Sequence, residues 1–147
     1  MLVEREVLSE TEAIQINPVT LAFVGDAVFS LYVRERLTLE LGGKTSELQR
    51  ISTKAVSAQG QSVFLEKLFP LFTETELGVF RRAKNAKKGT KSKSASHLEY
   101  NRSTGFEAVV GFLYLTGQTE RIKVLFQEID GTFFESVSIA KPFKPIR

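Results

Sequence analysis

Two acidic residues stand apart from the other charges of the chain. Asp26 lies within Leu21-Ala-Phe-Val-Gly-Asp-Ala-Val-Phe29, and Glu107 within Gly105-Phe-Glu-Ala-Val-Val-Gly-Phe112. Neither has a charged residue within four positions on either side. Of the 17 acids only Glu135, near the end of the sequence, shares that isolation. At helical spacing the neighbours of Asp26 are Ala22, Phe23, Phe29 and Ser30, and those of Glu107 are Ser103, Thr104, Val110 and Gly111. These positions share a helix face with the acid. A carboxylate buried in such surroundings must be neutralised by a proton, by a distant base brought close in the fold, or by a cation. For either acid alone, a buried base or a backbone cap is sufficient. For two acids on two apolar helices that pack together, a shared divalent cation competes, and all-oxygen ligation suits magnesium, with manganese as an alternative. Gly25 beside Asp26, and Gly105 and Gly111 beside Glu107, would let the two backbones approach closely. Ordinary helix packing would use them in the same way.

A second feature is electrostatic. The net charge is only +3, yet Arg81, Arg82, Lys84, Lys87, Lys88, Lys91 and Lys93 fall within thirteen residues that contain no acid. The rest of the chain holds 13 basic against 17 acidic residues. A mildly acidic body thus carries one cationic segment, which repels itself in isolation and suits a polyanion. Asn85, Gly89, Thr90, Ser92 and Ser94 interleave the charges, giving a polar loop able to follow a phosphate backbone; a solvated surface loop is the plainer reading. No aromatic residue interleaves them, which argues against stacking on single-stranded bases. A cation held by carboxylates beside such a segment is what phosphodiester hydrolysis requires, because the metal acidifies a bound water and steadies the leaving oxygen.

The elements that must position these groups are helical. Asn17-Pro18 reads as an N-cap followed by proline at the first helical position, opening a run to about Leu41 that Gly42-Gly43 stops. That first helix is apolar nearly all round, with Leu21, Val24, Val28 and Leu31 as one stripe and Asp26 opposite, which marks a core or interface helix. Ser46 and Gln49 read as a capping box for a helix near residues 46–58. Val63, Phe64, Leu68 and Phe69 give a short helix ended by Pro70, and Thr73 with Glu76 a second capping box for a helix to about Ala86. A long helix runs from about Ser96 to Leu115, stopped by Gly117. A last one, about Thr119 to Asp130, carries Ile122, Leu125, Phe126 and Ile129 on one face. The tail around Pro142 and Pro145 reads as extended. The expectation is one all-α domain over residues 1–147, with about six or seven helices.

Composition narrows the chemistry. The chain has 147 residues with 42% hydrophobic and 25% charged side chains, the profile of one globular domain. It contains no cysteine and one histidine, His97, which excludes thiolate chemistry, disulfides and any site needing two histidines. His97 itself reads as a helix-start residue, and Tyr32 and Tyr114 as core or interface residues. No apolar run reaches the length of a membrane span and the start is no secretory signal, so a cytoplasmic protein is expected.

At these residues the sequence resembles the ribonuclease III family. Leu21–Phe29 is similar to the family's signature helix, roughly E-x-x-E-F-L-G-D-A-V-L, and Gly105–Tyr114 to its second acidic helix, F-E-A-x-x-G-A-x-Y. Asn17-Pro18, Tyr32-Val-Arg-Glu35, Arg82-Ala-Lys-Asn-Ala-Lys87 and Ser103-Thr-Gly-Phe-Glu107 are similar to the Mini-ribonuclease III subfamily, which has the endonuclease domain alone. The resemblance covers about Ile16 to Leu115. It implies an all-helical ribonuclease III domain working as a homodimer on double-stranded RNA. Asp26 and Glu107 would be its catalytic magnesium ligands, and its products would carry 5′-phosphate and 3′-hydroxyl ends. For the subfamily it also implies maturation of 23S ribosomal RNA precursor.

Two departures stand out. The signature's glutamate four residues before the aspartate is replaced by Ala22, and the acid three residues before the second motif's glutamate by Thr104, so two of four acids remain. More of the metal's ligands would then be water and substrate phosphate, in keeping with magnesium's reluctance to dehydrate. Forty residues follow Glu107, and no separate double-stranded-RNA-binding domain is expected. The cationic segment is therefore expected to hold the RNA itself, through Arg81, Arg82, Lys84, Asn85, Lys87, Lys88 and Lys91, reading the A-form duplex by shape. The competing reading is a non-catalytic RNA- or ribosome-binding helical dimer, and a third is a helical bundle for protein interaction.

Overall fold

The computed structural model describes residues 5–88 and 97–130. Lys91, Lys93, Glu135 and the proline-containing tail lie outside them. The described residues form α1 (Glu10–Ile14), α2 (Pro18–Arg36), α3 (Thr45–Val56), α4 (Ala58–Leu68), α5 (Glu74–Asn85), α6 (His97–Leu115) and α7 (Thr119–Ile129), with no strand among them. The all-α expectation holds.

Local chemistry explains most boundaries. The Asn17 side chain accepts from the Val19 amide at 2.8 Å, with Pro18 in the first turn of α2. Thr73 and Glu76 make both bonds of the capping box that opens α5, and Gly117, at φ 73°, closes α6. Other boundaries differ from expectation. The first helical run widens into a π-helical turn at Leu37–Leu41. The N-cap of α3 is Lys44, with no side-chain cap, so Ser46 and Gln49 do not form the expected box. Ser57 takes an extended conformation and its side chain accepts from the Gly60 amide, ending α3 and starting α4. The short helix α1 adds to the expected set; its signal is the Ser9/Glu12 capping box.

Helix α6 is central. It packs most extensively on α2, then on α5, α4 and α7, and from Ser103 to Leu113 every residue except Glu107 is buried. The aromatic core joins these helices: Phe29 of α2 meets Phe106 of α6 edge-on at 5.2 Å between centroids, and Phe64 of α4 meets Phe106 at 5.0 Å. Such edge contacts add to the area these rings bury. The buried stripe of α2 is Leu21, Ala22, Gly25, Phe29 and Val33. The expected stripe is corrected accordingly: only Leu21 of it is buried, Val24 and Val28 are not, and Leu31 is 44% exposed. A helix that is apolar all round gives periodicity no way to choose its core face.

At the far end of α2, Arg36 is buried and bonded to Glu40 at 3.0 Å and, through Nε, to Asp130 at 3.2 Å. The Tyr32 hydroxyl donates to the same Asp130 carboxylate at 2.7 Å. Burial, that bond and the Asp130 charge push the Tyr32 phenol far up, so it stays protonated. This polar cluster ties α7 to α2.

Candidate active site

The two isolated carboxylates meet because α2 and α6 cross on glycine. A Cβ at Gly25 would stand 1.7 Å from the Glu107 carbonyl oxygen, and one at Gly111 would stand 1.9 Å from the Leu21 carbonyl oxygen. Only hydrogen fits at either point, so the backbones lie in contact there. Asp26 follows Gly25, and Glu107 precedes Gly111 by one helical turn. The crossing therefore brings the carboxyl groups of Asp26 and Glu107 within hydrogen-bonding reach. Among the described residues no arginine or lysine forms an ion pair with either acid.

Their environments differ. Asp26 is exposed, contrary to the expectation of a buried side chain, and lines open clefts between α2 and its neighbouring helices. Glu107 is largely enclosed. Burial, then the hydrogen bond and negative charge of Asp26, push its carboxyl up to about 9, while a hydrogen bond from Gln61 acts in the opposite sense. Without a cation, the pair therefore holds a proton at neutral pH.

The cleft around the pair has a volume of about 350 Å³ and is lined by Ala22, Phe23, Asp26, Gln61, Thr104 and Glu107, among others. Ala22 and Thr104 lie where the resemblance would place two further acids. Ala22 is buried, and the Thr104 hydroxyl donates to the Tyr100 carbonyl at 2.9 Å. No third Asp, Glu or His joins the pair to form a larger cluster among the described residues. Gln61, whose Nε2 donates to Glu107 Oε2 at 2.9 Å, is a site residue that sequence reasoning misses. A polar residue near the start of an amphipathic helix carries no signal of its own.

The face of α2 that bears Asp26 continues as an apolar groove. Phe23 is 78% exposed, and a cavity of about 620 Å³ runs beside it past Asp26, Val28, Leu31 and Tyr114. Phe23 and Asp26 line both this groove and the polar cleft.

The cationic segment is partly helix. Arg81, Arg82, Lys84 and Asn85 lie on the last turns of α5, so the expectation of a loop from Arg81 is corrected. Arg81, Asn85 and Lys87 are exposed and Lys84 is half-buried. Two of the cations fasten the fold: Arg82 donates to the Ile14 carbonyl at 2.9 Å, and Lys88 to the Lys84 and Ala86 carbonyls at 2.8 and 2.7 Å. Lys88 thereby caps the end of α5, a favourable place for a cation, although its partial burial lowers the ammonium below its ordinary range. His97 opens α6 and is exposed. No described helix is long and apolar enough to cross a membrane.

Known proteins resemble the chain over most of its length. The ribonuclease III domain model matches residues 19–118, which contain both acids and the helix crossing. The Mini-ribonuclease 3 of Symbiobacterium thermophilum is 47% identical over 76% of this chain and 86% of its own length. That of Staphylococcus aureus is 42% identical over 78% and 87%. A crystal structure of a Fusobacterium nucleatum protein superposes with a TM-score of 0.68 at 32% identity, over 76% of this chain and 88% of that one. The chain belongs to the ribonuclease III family, in its Mini-ribonuclease 3 group, and is an endoribonuclease of the ribonuclease III type.

Proposed function

We propose that this chain is a magnesium-dependent, homodimeric endonuclease of double-stranded RNA that matures 23S ribosomal RNA precursor, with Asp26 and Glu107 as its catalytic metal ligands. The observation that carries the reading is the adjoining carboxyl pair, held together by the glycine crossing and neutralised by no basic side chain of the described residues. Two carboxyl groups that repel each other fit a divalent cation, and an all-oxygen donor set of two carboxylates suits magnesium or manganese. When bound there, the ion supplies the acidification of water and the charge stabilisation that give 5′-phosphate and 3′-hydroxyl ends.

The protein's own part is positional. Asp26 is exposed at the cleft's open side while Glu107 lies deeper. The groove along α2, with Phe23 and Leu31 exposed, supports a second copy of the chain as its cover, because an apolar surface of this kind beside a site is characteristic of an interface.

Cleavage of structured ribosomal precursor RNA, with and without magnesium, tests the assignment. Asp26→Asn is expected to remove cleavage while leaving RNA binding intact. Cleavage that survives the substitution would dismiss the site, and binding without any cleavage by the unaltered protein would favour the non-catalytic dimer.

RNA retention is assigned to Arg81, Lys84, Asn85 and Lys87, with Lys91 continuing the run in sequence. Arg82 and Lys88 contribute charge from positions already bonded to the fold. The log–log salt slope of binding should become shallower by about 1 for every phosphate that the protein no longer neutralises. Replacing Arg81 and Lys87 by alanine is therefore expected to flatten the slope without lowering the melting temperature. Affinity measured from low to moderate salt checks this, and an unchanged slope would remove these residues from the interface.

A further inference from the structure

Gln61 makes two bonds in the cleft and leaves one polar atom unpaired. It is 1% exposed, near the start of α4. Its neighbour Gly60 lies so close to α3 that a Cβ there would stand 2.4 Å from the Lys54 carbonyl oxygen, so the backbone at this point has little room to move. The Gln61 Nε2 donates to the Val56 carbonyl at 3.1 Å and to Glu107 Oε2 at 2.9 Å. Both partners are acceptors, so only one orientation of the amide satisfies them. That orientation leaves Oε1 buried without a partner, the one such side-chain atom among the described residues. An unmet buried acceptor is a standing cost, and an apolar side chain of similar volume would avoid it. What the amide provides in return is a neutral N–H donor aimed at Glu107.

We propose that Gln61 is the positioning residue of the cation site: its amide nitrogen, anchored on the Val56 carbonyl, holds the Glu107 carboxylate in the orientation that ligates a divalent cation together with Asp26. The inference rests on the reading of those two acids as ligands. A lysine at this position would satisfy Glu107 by its own charge and compete with the ion. An amide occupies one lone pair of Oε2 and leaves the carboxylate's charge available. Ligands oriented by such bonds bind metal more tightly than free ones, typically by about 10–100-fold.

Manganese titration of the metal-free protein tests the assignment, followed by calorimetry or by the relaxation of water protons. Gln61→Met and Gln61→Asn, which remove the bond to Glu107, are expected to weaken manganese binding by about 10–100-fold. Binding of RNA in the absence of metal should stay unchanged. Cleavage by the variants should recover most of its kcat at high magnesium, so that the defect lies in metal affinity. Unchanged manganese affinity would overturn the proposal, as would parallel loss of metal-free RNA binding or failure of both variants to fold, since each would make Gln61 a structural residue only. Glu107→Gln serves as the reference. Should it bind manganese as the unaltered protein does, the ligand reading itself fails. Should it lose the ion while the Gln61 variants keep it, only the positioning role fails.

Discussion

Glu107→Gln is expected to lower RNA cleavage by about a thousandfold or more, yet to give a protein that melts higher than the unaltered one in metal-free buffer at pH 8. The first effect follows from the proposed ligand role of Glu107, since a metal contributes several kcal/mol of transition-state charge stabilisation and each 1.36 kcal/mol is tenfold in rate. The second follows from proton linkage. In the unfolded chain Glu107 titrates near 4.5, and in the folded protein it is pushed up to about 9. Below the lower value both states hold the proton and its environment takes nothing from stability. Between the two values the unfolded state releases the proton and the folded state does not, so stability falls with rising pH until the folded carboxyl ionises. The full shift corresponds to about 6 kcal/mol, and solvent at the open cleft reduces this to about 2–3 kcal/mol. Glutamine copies the protonated acid: its oxygen can accept from Gln61 and its nitrogen can donate to Asp26. The variant should therefore melt about 5–10 °C higher at pH 8, and the difference should vanish toward about pH 4.5, the ordinary range of a glutamate. Manganese should raise the melting temperature of the unaltered protein alone. Melting curves from about pH 5 to pH 9 with chelator, spanning the window of this linkage, check the sign, and parallel curves for the two proteins would refute it.

The acids were legible in the sequence because isolation on an apolar helix is a local property. Helix ends set by single side chains were legible for the same reason: Asn17, the Thr73/Glu76 box and Gly117 stand where their chemistry requires. The buried face of α7, Ile122, Leu125, Phe126 and Ile129, follows directly from 3.6-residue spacing. The failures have a common physical form. Helix α2 is apolar on all sides, so the exposed Phe23 and Leu31 could not be told from the buried Phe29 and Val33 by pattern. The cluster of Arg36 and Asp130 joins residues 94 positions apart, and Gln61 reaches Glu107 over 46. Such pairings depend on how helices cross, which no local window contains. Arg82 and Lys88 illustrate the same limit for charge, since a run of cations does not reveal which of its members are already bonded to backbone carbonyls.

The crossing itself yields the second large expectation, from a matched pair of substitutions. Gly25→Ala should strongly destabilise the fold, whereas Gly78→Ala, made in helix α5, should raise stability. Intrinsic helix propensity favours alanine over glycine by about 1 kcal/mol at both positions, so a local account predicts the same sign twice. Packing separates them. Nothing lies within 4 Å of a Cβ built at Gly78. At Gly25 the added atom would lie 1.7 Å from the Glu107 carbonyl oxygen and 2.7 Å from the Gly111 amide nitrogen. Both obstacles are backbone, so no rotamer change relieves them, and α2 must separate from α6. That separation would open the core where Phe29 meets Phe106 and Phe64, since a close-packed interior cannot absorb such a shift without voids. Overpacking alone costs about 1–3 kcal/mol where side chains can yield. With rigid backbone on both sides and a core opened behind it, the penalty should exceed about 4 kcal/mol, a large part of the roughly 5–15 kcal/mol that holds a domain folded. Denaturant titration of the two variants reads the difference directly, and a Gly25→Ala protein as stable as the unaltered one would mean that the helices do not cross at these glycines. The same contact would then no longer account for the meeting of Asp26 and Glu107, because the two carboxylates are neighbours only as far as the two backbones touch.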